Sequence, residues 1–256
     1  MTMLSRPALV LTALVSAAPV AAQENALAFS LTGGAGVAPS YFGSSNRSVS
    51  PAISFGFQGL RFGGTQLGDP DGPKVFAPGA GFRGSFRFIG AREGKNELAG
   101  MNTVDAALEL GLGVQYTSDL WQVFADLRYG VVGHKGVTGE VGANVIYRAP
   151  SGLVLNAGPR AEFGSSRFTN TYFGVTAAEA ASPLNTLTPF SASGGIYSVG
   201  VEMGAYQPLG DDWGITGTLR YDRLRGDAAR SPIVLQGSRD QVSAQIGLTR
   251  HFNLRF

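Results

Sequence analysis

The stretch Val104–Thr117 reads VDAALELGLGVQYT, and its alternation decides the fold. Val104, Ala106, Leu108, Leu110, Leu112, Val114 and Tyr116 fall on one face, with Asp105, Glu109, Gln115 and Thr117 on the other. A period of two is the mark of a strand, whose successive side chains point to opposite sides. Length is the second clue. A strand in a soluble protein averages about 5–6 residues, whereas one tilted across a hydrocarbon layer needs about 9–11. A run of 14 residues suits a membrane wall better than a sandwich.

The pattern recurs on both sides of this stretch. Ala80 to Phe88 sets Phe82, Phe86 and Phe88 against Arg83, Ser85 and Arg87. Trp121 to Tyr129 and Leu153 to Phe163 alternate in the same way. Val137 to Arg148 sets Val137, Val141, Ala143, Val145 and Tyr147 against Thr138, Glu140, Asn144 and Arg148. Trp213 to Tyr221 sets Trp213, Ile215, Leu219 and Tyr221 against Thr216, Thr218 and Arg220. Val242, Ala244, Ile246, Leu248, Phe252, Leu254 and Phe256 share one face of the last run, which Arg250 interrupts. Tyr116, Trp121, Tyr129, Tyr147, Phe163, Tyr206, Trp213 and Tyr221 lie near run ends, where the interfacial girdles of a membrane barrel belong.

Ser118-Asp119, Ala149 to Gly152 and Pro208 to Asp212 read as tight turns. Longer links cover Pro39–Ser48, Gly64–Pro78, Ile89–Thr103, Gly164–Ser193 and Leu224–Asp240. Eleven candidate strands can be counted from Leu27 to Phe256. Bacterial single-chain barrels have an even number. The expectation is therefore an all-β, antiparallel transmembrane barrel of ten to twelve strands, twelve being preferred. Either Ser231–Gln236 or part of Gly164–Ser193 hides a strand, or Leu60–Gly64 is not a separate one.

Composition agrees. Charged residues make up 15% of the 256, glycine contributes 37 and hydrophobics 44%. Disorder calls for high charge and few apolar residues. Twenty basic against 18 acidic residues, with no basic block, gives no footprint for nucleic acid. There is no cysteine, so thiolate metal sites, disulfides and cysteine nucleophiles are excluded. At the N-terminus Arg6, the apolar run Pro7 to Val20 and the small-residue site Val20-Ala21-Ala22 lay out a secretory signal peptide. Residues 1–22 are expected to be removed, leaving 23–256 as the barrel, and no later run of about 18 apolar residues offers a membrane helix.

The polar faces carry both signs. Arg83, Arg87, Arg128, Arg148, Arg160, Arg220 and Arg255 point inward on this reading, as do Asp105, Glu109, Asp126, Glu140, Glu162, Glu202 and Asp222. A pore that selects by charge uses rings of one sign. A balanced set can cross-pair and fill a narrow lumen, and a narrow conducting pore is the alternative. Catalysis has little to work with: His134 and His251 are the histidines, and G-x-S-x-G, S-x-x-K, H-E-x-x-H and P-loop patterns are absent. No enzyme, metal or cofactor is expected, and a His251-based lipid hydrolase stands only as a third reading.

Four segments in order carry a resemblance: Tyr41-Phe42-Gly43-Ser44, Gly133-His134-Lys135-Gly136, Thr171-Tyr172-Phe173-Gly174-Val175, and Leu224 to Val234 with its Ser231-Pro232. On these the chain resembles the MipA/OmpV family of outer-membrane proteins, the MltA-interacting scaffold proteins. In that family an aromatic residue often ends the chain about where Phe252 stands, whereas here Asn253 to Phe256 extend beyond it. The resemblance implies an outer-membrane location in a Gram-negative envelope. It also implies contact with membrane lipid and a scaffold that joins a periplasmic lytic transglycosylase to a murein synthase. Porin-like behaviour is the rival. The motif residues Tyr41, Gly43, His134, Tyr172, Phe173, Gly174, Ser231 and Pro232 are candidate partner or loop contacts. The Tyr172-Phe173 pair either meets a partner or packs its loop against the barrel rim, and the folded look of the Gly174 region favours packing.

Overall fold

The computed structural model describes residues 24–256, so the expected signal peptide lies outside the described residues. Eleven antiparallel strands form one sheet: β1 (Ala26–Pro39), β2 (Arg47–Phe62), β3 (Thr65–Gly68), β4 (Gly79–Ile89), β5 (Ala107–Thr117), β6 (Trp121–Val132), β7 (Val137–Arg148), β8 (Val154–Gly164), β9 (Gly195–Pro208), β10 (Trp213–Leu224) and β11 (Asp240–Arg255). Their order around the wall is β3-β2-β1-β11-β10-β9-β8-β7-β6-β5-β4. The chain ends are zipped together, since β1 pairs with β11 from Ala26↔Arg255 to Val37↔Ala244.

Eleven falls within the expected ten to twelve. A twelfth strand is missing from the described residues for a local reason. Ser231–Gln236 holds the helix α4 (Pro232–Leu235), and Gly164–Ser193 holds α1 (Ser166–Phe173) and α2 (Ala177–Ala180). A further short helix, α3 (Gly226–Arg230), precedes α4. Leu60 to Phe62 completes β2, and β3 is a four-residue hairpin partner to it. The wall is thus ten long strands and one stub. Between the stub's strand and β4 the ladder stops. No backbone pairing joins β2 or β3 to β4, although the Phe55 ring reaches to 3.5 Å from where a Cβ on Gly84 would stand. Asp105 lies before β5 begins, so that strand is shorter than its alternation suggested; Val104 pairs with Arg92 in an isolated bridge.

The faces are inverted relative to a soluble protein. Leu112, Val145, Ile246 and Met203 stand exposed, while Glu109, Asp126, Arg128 and Arg160 are buried. An apolar outer surface of this extent is stable only against lipid. Aromatics ring both ends: Tyr116, Trp121, Tyr147 and Trp213 at one, Phe88, Tyr129 and Tyr221 at the other. Arg250 does break the apolar face. Its guanidinium lies 5.2 Å from the Trp213 ring and 5.0 Å from that of Phe252, at the rim, where an arginine can keep its charge near water. Beyond Phe252, β11 continues to Arg255, and the Phe256 ring sits 6.4 Å from Phe62.

The two ends differ. One carries the start of β1, the end of β11, the turns after β5, β7 and β9, the β2–β3 hairpin and the link from β3 to β4; the other carries every helix among the described residues and the links after β1, β4, β6, β8 and β10. Bacterial barrels place short turns on the periplasmic side and long loops outside. With no native cysteine, single cysteines test this orientation. A membrane-impermeant maleimide should label Lys95→Cys in intact cells and leave Ser151→Cys unlabelled until the envelope is broken. The opposite pattern would invert the barrel.

Candidate functional site: a charged lumen beneath a loop cap

Period-two alternation turns the charged residues of β4 to β10 toward one another, and the lumen is narrow enough for them to meet. Glu109 is the centre, with its side chain fully buried. Arg87 donates to both of its carboxylate oxygens at 2.8 Å. Arg128 Nε adds a bond of 3.1 Å, Thr138 Oγ1 one of 2.9 Å and His134 Nε2 one of 3.0 Å. Two oxygens thus accept from four side chains on three strands and a turn, a degree of satisfaction that makes a buried charge tolerable.

From this centre the pairs cross the lumen. Arg87 on β4 reaches Glu162 on β8 at 3.0 Å and the Tyr197 hydroxyl on β9 at 2.7 Å. Arg220 on β10 donates to Glu140 on β7 at 2.9 Å and to Asp222 at 2.6 Å, with Glu162 and Glu202 each at 3.5 Å. Arg160 contacts Glu202 at 2.9 Å and Asn144 at 2.7 Å. Asp126 takes Arg83 at 3.2 Å and the Ser85 hydroxyl at 3.1 Å. Eleven of the fourteen expected lumen charges join this network. Asp105, exposed ahead of β5, Arg148 and Arg255 do not. Although the parity of Arg148 is inward, it ends β7 at the mouth, exposed, donating to the carbonyls of Asp119 and Phe76. Arg255 is likewise at the rim, 3.2 Å from Asp71.

Above the network the long loops fold into a cap. Phe168, Tyr172 and Phe173 share the buried side of α1 and pack with Tyr197, Leu224, Ala228 and Val234. Phe42 fits among them, its ring 5.2 Å from Tyr172 and 5.7 Å from Phe173. Gly43 has φ of +92°, and a Cβ there would stand 2.5 Å from Val234, so glycine is required twice over. Ser231 caps α4 by accepting from the Ile233 N–H at 3.2 Å, while its own hydroxyl donates to the Phe173 carbonyl at 2.7 Å. Pro232 opens the helix, where its missing N–H costs nothing. Gly174 ends α1, its N–H donating to Asn170. Tyr172 and Phe173 are buried, so they pack the cap and present no contact surface. Burial pushes the Tyr172 hydroxyl up to about 12.

His134 joins cap to lumen. The Gly136 N–H points at Nδ1 at 2.9 Å, so Nδ1 accepts and Nε2 carries the proton donated to Glu109. Its ring stands edge-on to Phe168 at 5.1 Å. The other histidine, His251, is near the short-turn end, bonded to the Tyr206 hydroxyl at 3.0 Å, with no serine hydroxyl paired to it among the described residues. Ser85, Thr138 and Tyr197 had the parity to be found with the charges. Phe168 did not stand out, because it sits in the polar segment Ser-Arg-Phe-Thr-Asn.

The sequence matches the family model for MltA-interacting protein MipA over residues 31–252. The chain belongs to that family. Among curated relatives, outer membrane protein OmpV of Vibrio cholerae is 29% identical over 157 residues, and outer membrane protein Omp26La of Vibrio anguillarum is 31% identical over 158. Each alignment covers 60% of this chain and 59% of the relative, so the chain matches about three fifths of their length. The outer membrane protein OprG of Pseudomonas aeruginosa aligns over 90% of this chain and 97% of its own, at 12% identity. Its TM-score of 0.29 supports no argument. This MipA-family protein is an outer-membrane β-barrel.

Removing Glu109 should expose how much the centre holds. Glu109→Ala leaves Arg87 and Arg128 buried without their best acceptor, and loss of one partner of a buried pair costs about 3–5 kcal/mol. Urea unfolding of refolded protein, followed by tryptophan fluorescence, should show that loss. Arg148→Ala, outside the network, should shift the midpoint far less.

Proposed function

We propose that this barrel is a non-catalytic scaffold, holding a lytic transglycosylase and a murein synthase together at the inner surface of the outer membrane. The family's name supplies the partner class. The observation that carries the non-conducting half of the reading is the filled lumen: Arg87 and Arg220 bridge strands on different parts of the wall beneath a packed cap. On the usual orientation the family motifs lie at the outer end, and a periplasmic partner would meet the short-turn end instead. Leu120, Leu209 and Phe256 are exposed there beside Asp119, Asp211 and Asp212, with Lys74, Arg148 and Arg255 at the same end, an apolar and charged mixture suited to a protein contact. In nanodiscs the barrel should bind a purified MltA-type transglycosylase, and Asp211→Lys with Asp212→Lys should weaken that binding at least tenfold. No binding by the unaltered barrel would remove the scaffold reading.

A second reading, a narrow channel, is favoured by the other side of the lumen. β1, β2 and β11 turn Gly34, Ser50, Ser54 and Gln245 inward, and these remain accessible. Away from the short-turn end, where Arg61 and Arg255 pair with Asp71, that sector is uncharged and lined mainly by small residues. Planar-bilayer recording separates the two readings: the scaffold predicts silence from folded protein, whereas discrete reproducible steps would put the channel first.

A further inference from the structure

The cap contains a buried arginine that neither the lumen network nor the aromatic packing uses. Arg92 follows β4 and is held by two backbone bonds to Val104, each 2.8 Å. It is 5% exposed. Its Nη1 donates to the Tyr172 carbonyl at 3.0 Å, and its Nε has no partner. Among the described residues it makes no ion pair, whereas Arg83, Arg87, Arg128, Arg160 and Arg220 each have a carboxylate oxygen within 3.2 Å. Glu179 is the acid with the strongest pull on its charge, but that carboxylate is already committed. One oxygen accepts from the N–H and hydroxyl of Thr176, both at 2.8 Å, and the other from the Asn102 N–H at 2.9 Å. These bonds close the capping box of α2 and hold Glu179 ionised, below its ordinary pKa despite its burial.

A guanidinium buried with one hydrogen bond is costly, and burial pulls the Arg92 pKa down. Its position gives the cost a purpose. Arg92 lines a cleft of about 540 Å³ in the cap, within the size range of small-molecule sites. Val104, Val175 and Phe190 supply apolar walls, Asn102, Thr171 and Ser191 supply polar groups, and the Glu179 carboxylate also lines the cleft, its two oxygens turned to Thr176 and Asn102. The planar fork of an arginine matches a carboxylate, which it can hold by two parallel bonds. Apolar walls favour a ligand with a hydrocarbon body over a bare inorganic anion.

We propose that this cleft binds a small organic carboxylate, its carboxylate on the free edge of Arg92 and its apolar body against Val104, Val175 and Phe190. With the long loops outside, the ligand comes from the external medium. The site is independent of periplasmic partners and of conduction.

Fluorine NMR on full-length mature protein refolded in detergent tests the proposal, with 4-fluorobenzoate as probe. Broadening of its signal is expected, with little effect on 4-fluorobenzyl alcohol, which shares the ring and lacks the charge. Arg92→Met should reduce affinity at least tenfold. Ala177→Glu keeps Arg92 and places a like charge at the exposed rim of the cleft, and it should weaken binding too. Heat-modifiable gel migration checks that both variants fold. The proposal fails if the acid is not broadened, if the alcohol broadens equally, or if neither variant changes binding. Displacement by inorganic phosphate at equal concentration would overturn the organic-acid assignment.

Discussion

The buried carboxylate of Glu109 is the constraint around which this barrel is arranged. A negative charge at that depth needs donors from several directions, and Arg87, Arg128, Thr138 and His134 provide them. Three of these donors are then fixed by a second contact of their own. Arg87 continues to Glu162 and Tyr197, and Arg128 to the Ser85 hydroxyl at 3.0 Å. His134 is held by Gly136 and abuts Phe168, so the same carboxylate that organises the lumen also sets where α1 lies. Asp126 Oδ1, Arg128 Nη2 and Arg160 Nε are buried without a hydrogen bond and meet an opposite charge at 3.2, 4.0 and 3.6 Å.

The family motifs acquire a physical meaning from that arrangement. Each marks a joint where loops from different hairpins interlock. Gly43 allows its backbone to approach Val234, and its carbonyl accepts from Ser238 at 2.7 Å. Ser231 starts one helix and pins the end of another. His134 ties the cap to the wall. Packing accounts for the places that Gly43, Ser231 and His134 hold in this fold.

Much of this was legible in the sequence because a strand declares its two faces. The runs around Leu110, Val123, Val145 and Leu219 gave strand, length and inward set together. Arg148 shows the limit of parity: it specifies a direction, but a residue at the mouth turns to the nearest carbonyl. The helices were not legible. At four to eight residues they are too short to show a 3.6-residue period, and they are held by tertiary contacts such as Phe42 on Tyr172. Arg92 was hidden for a related reason, since only the folded cap reveals that it lacks a partner.

The unpaired stretch between β2 and β4 gives the wall an uneven stiffness. Around most of the circumference, continuous ladders and crossing ion pairs resist shear. At this one place the strands meet through side chains such as Phe55 over Gly84. A change in bilayer thickness or lateral pressure would therefore be taken up there, like the expansion joint of a rigid pipe, leaving the ion-paired interior and its cap undeformed.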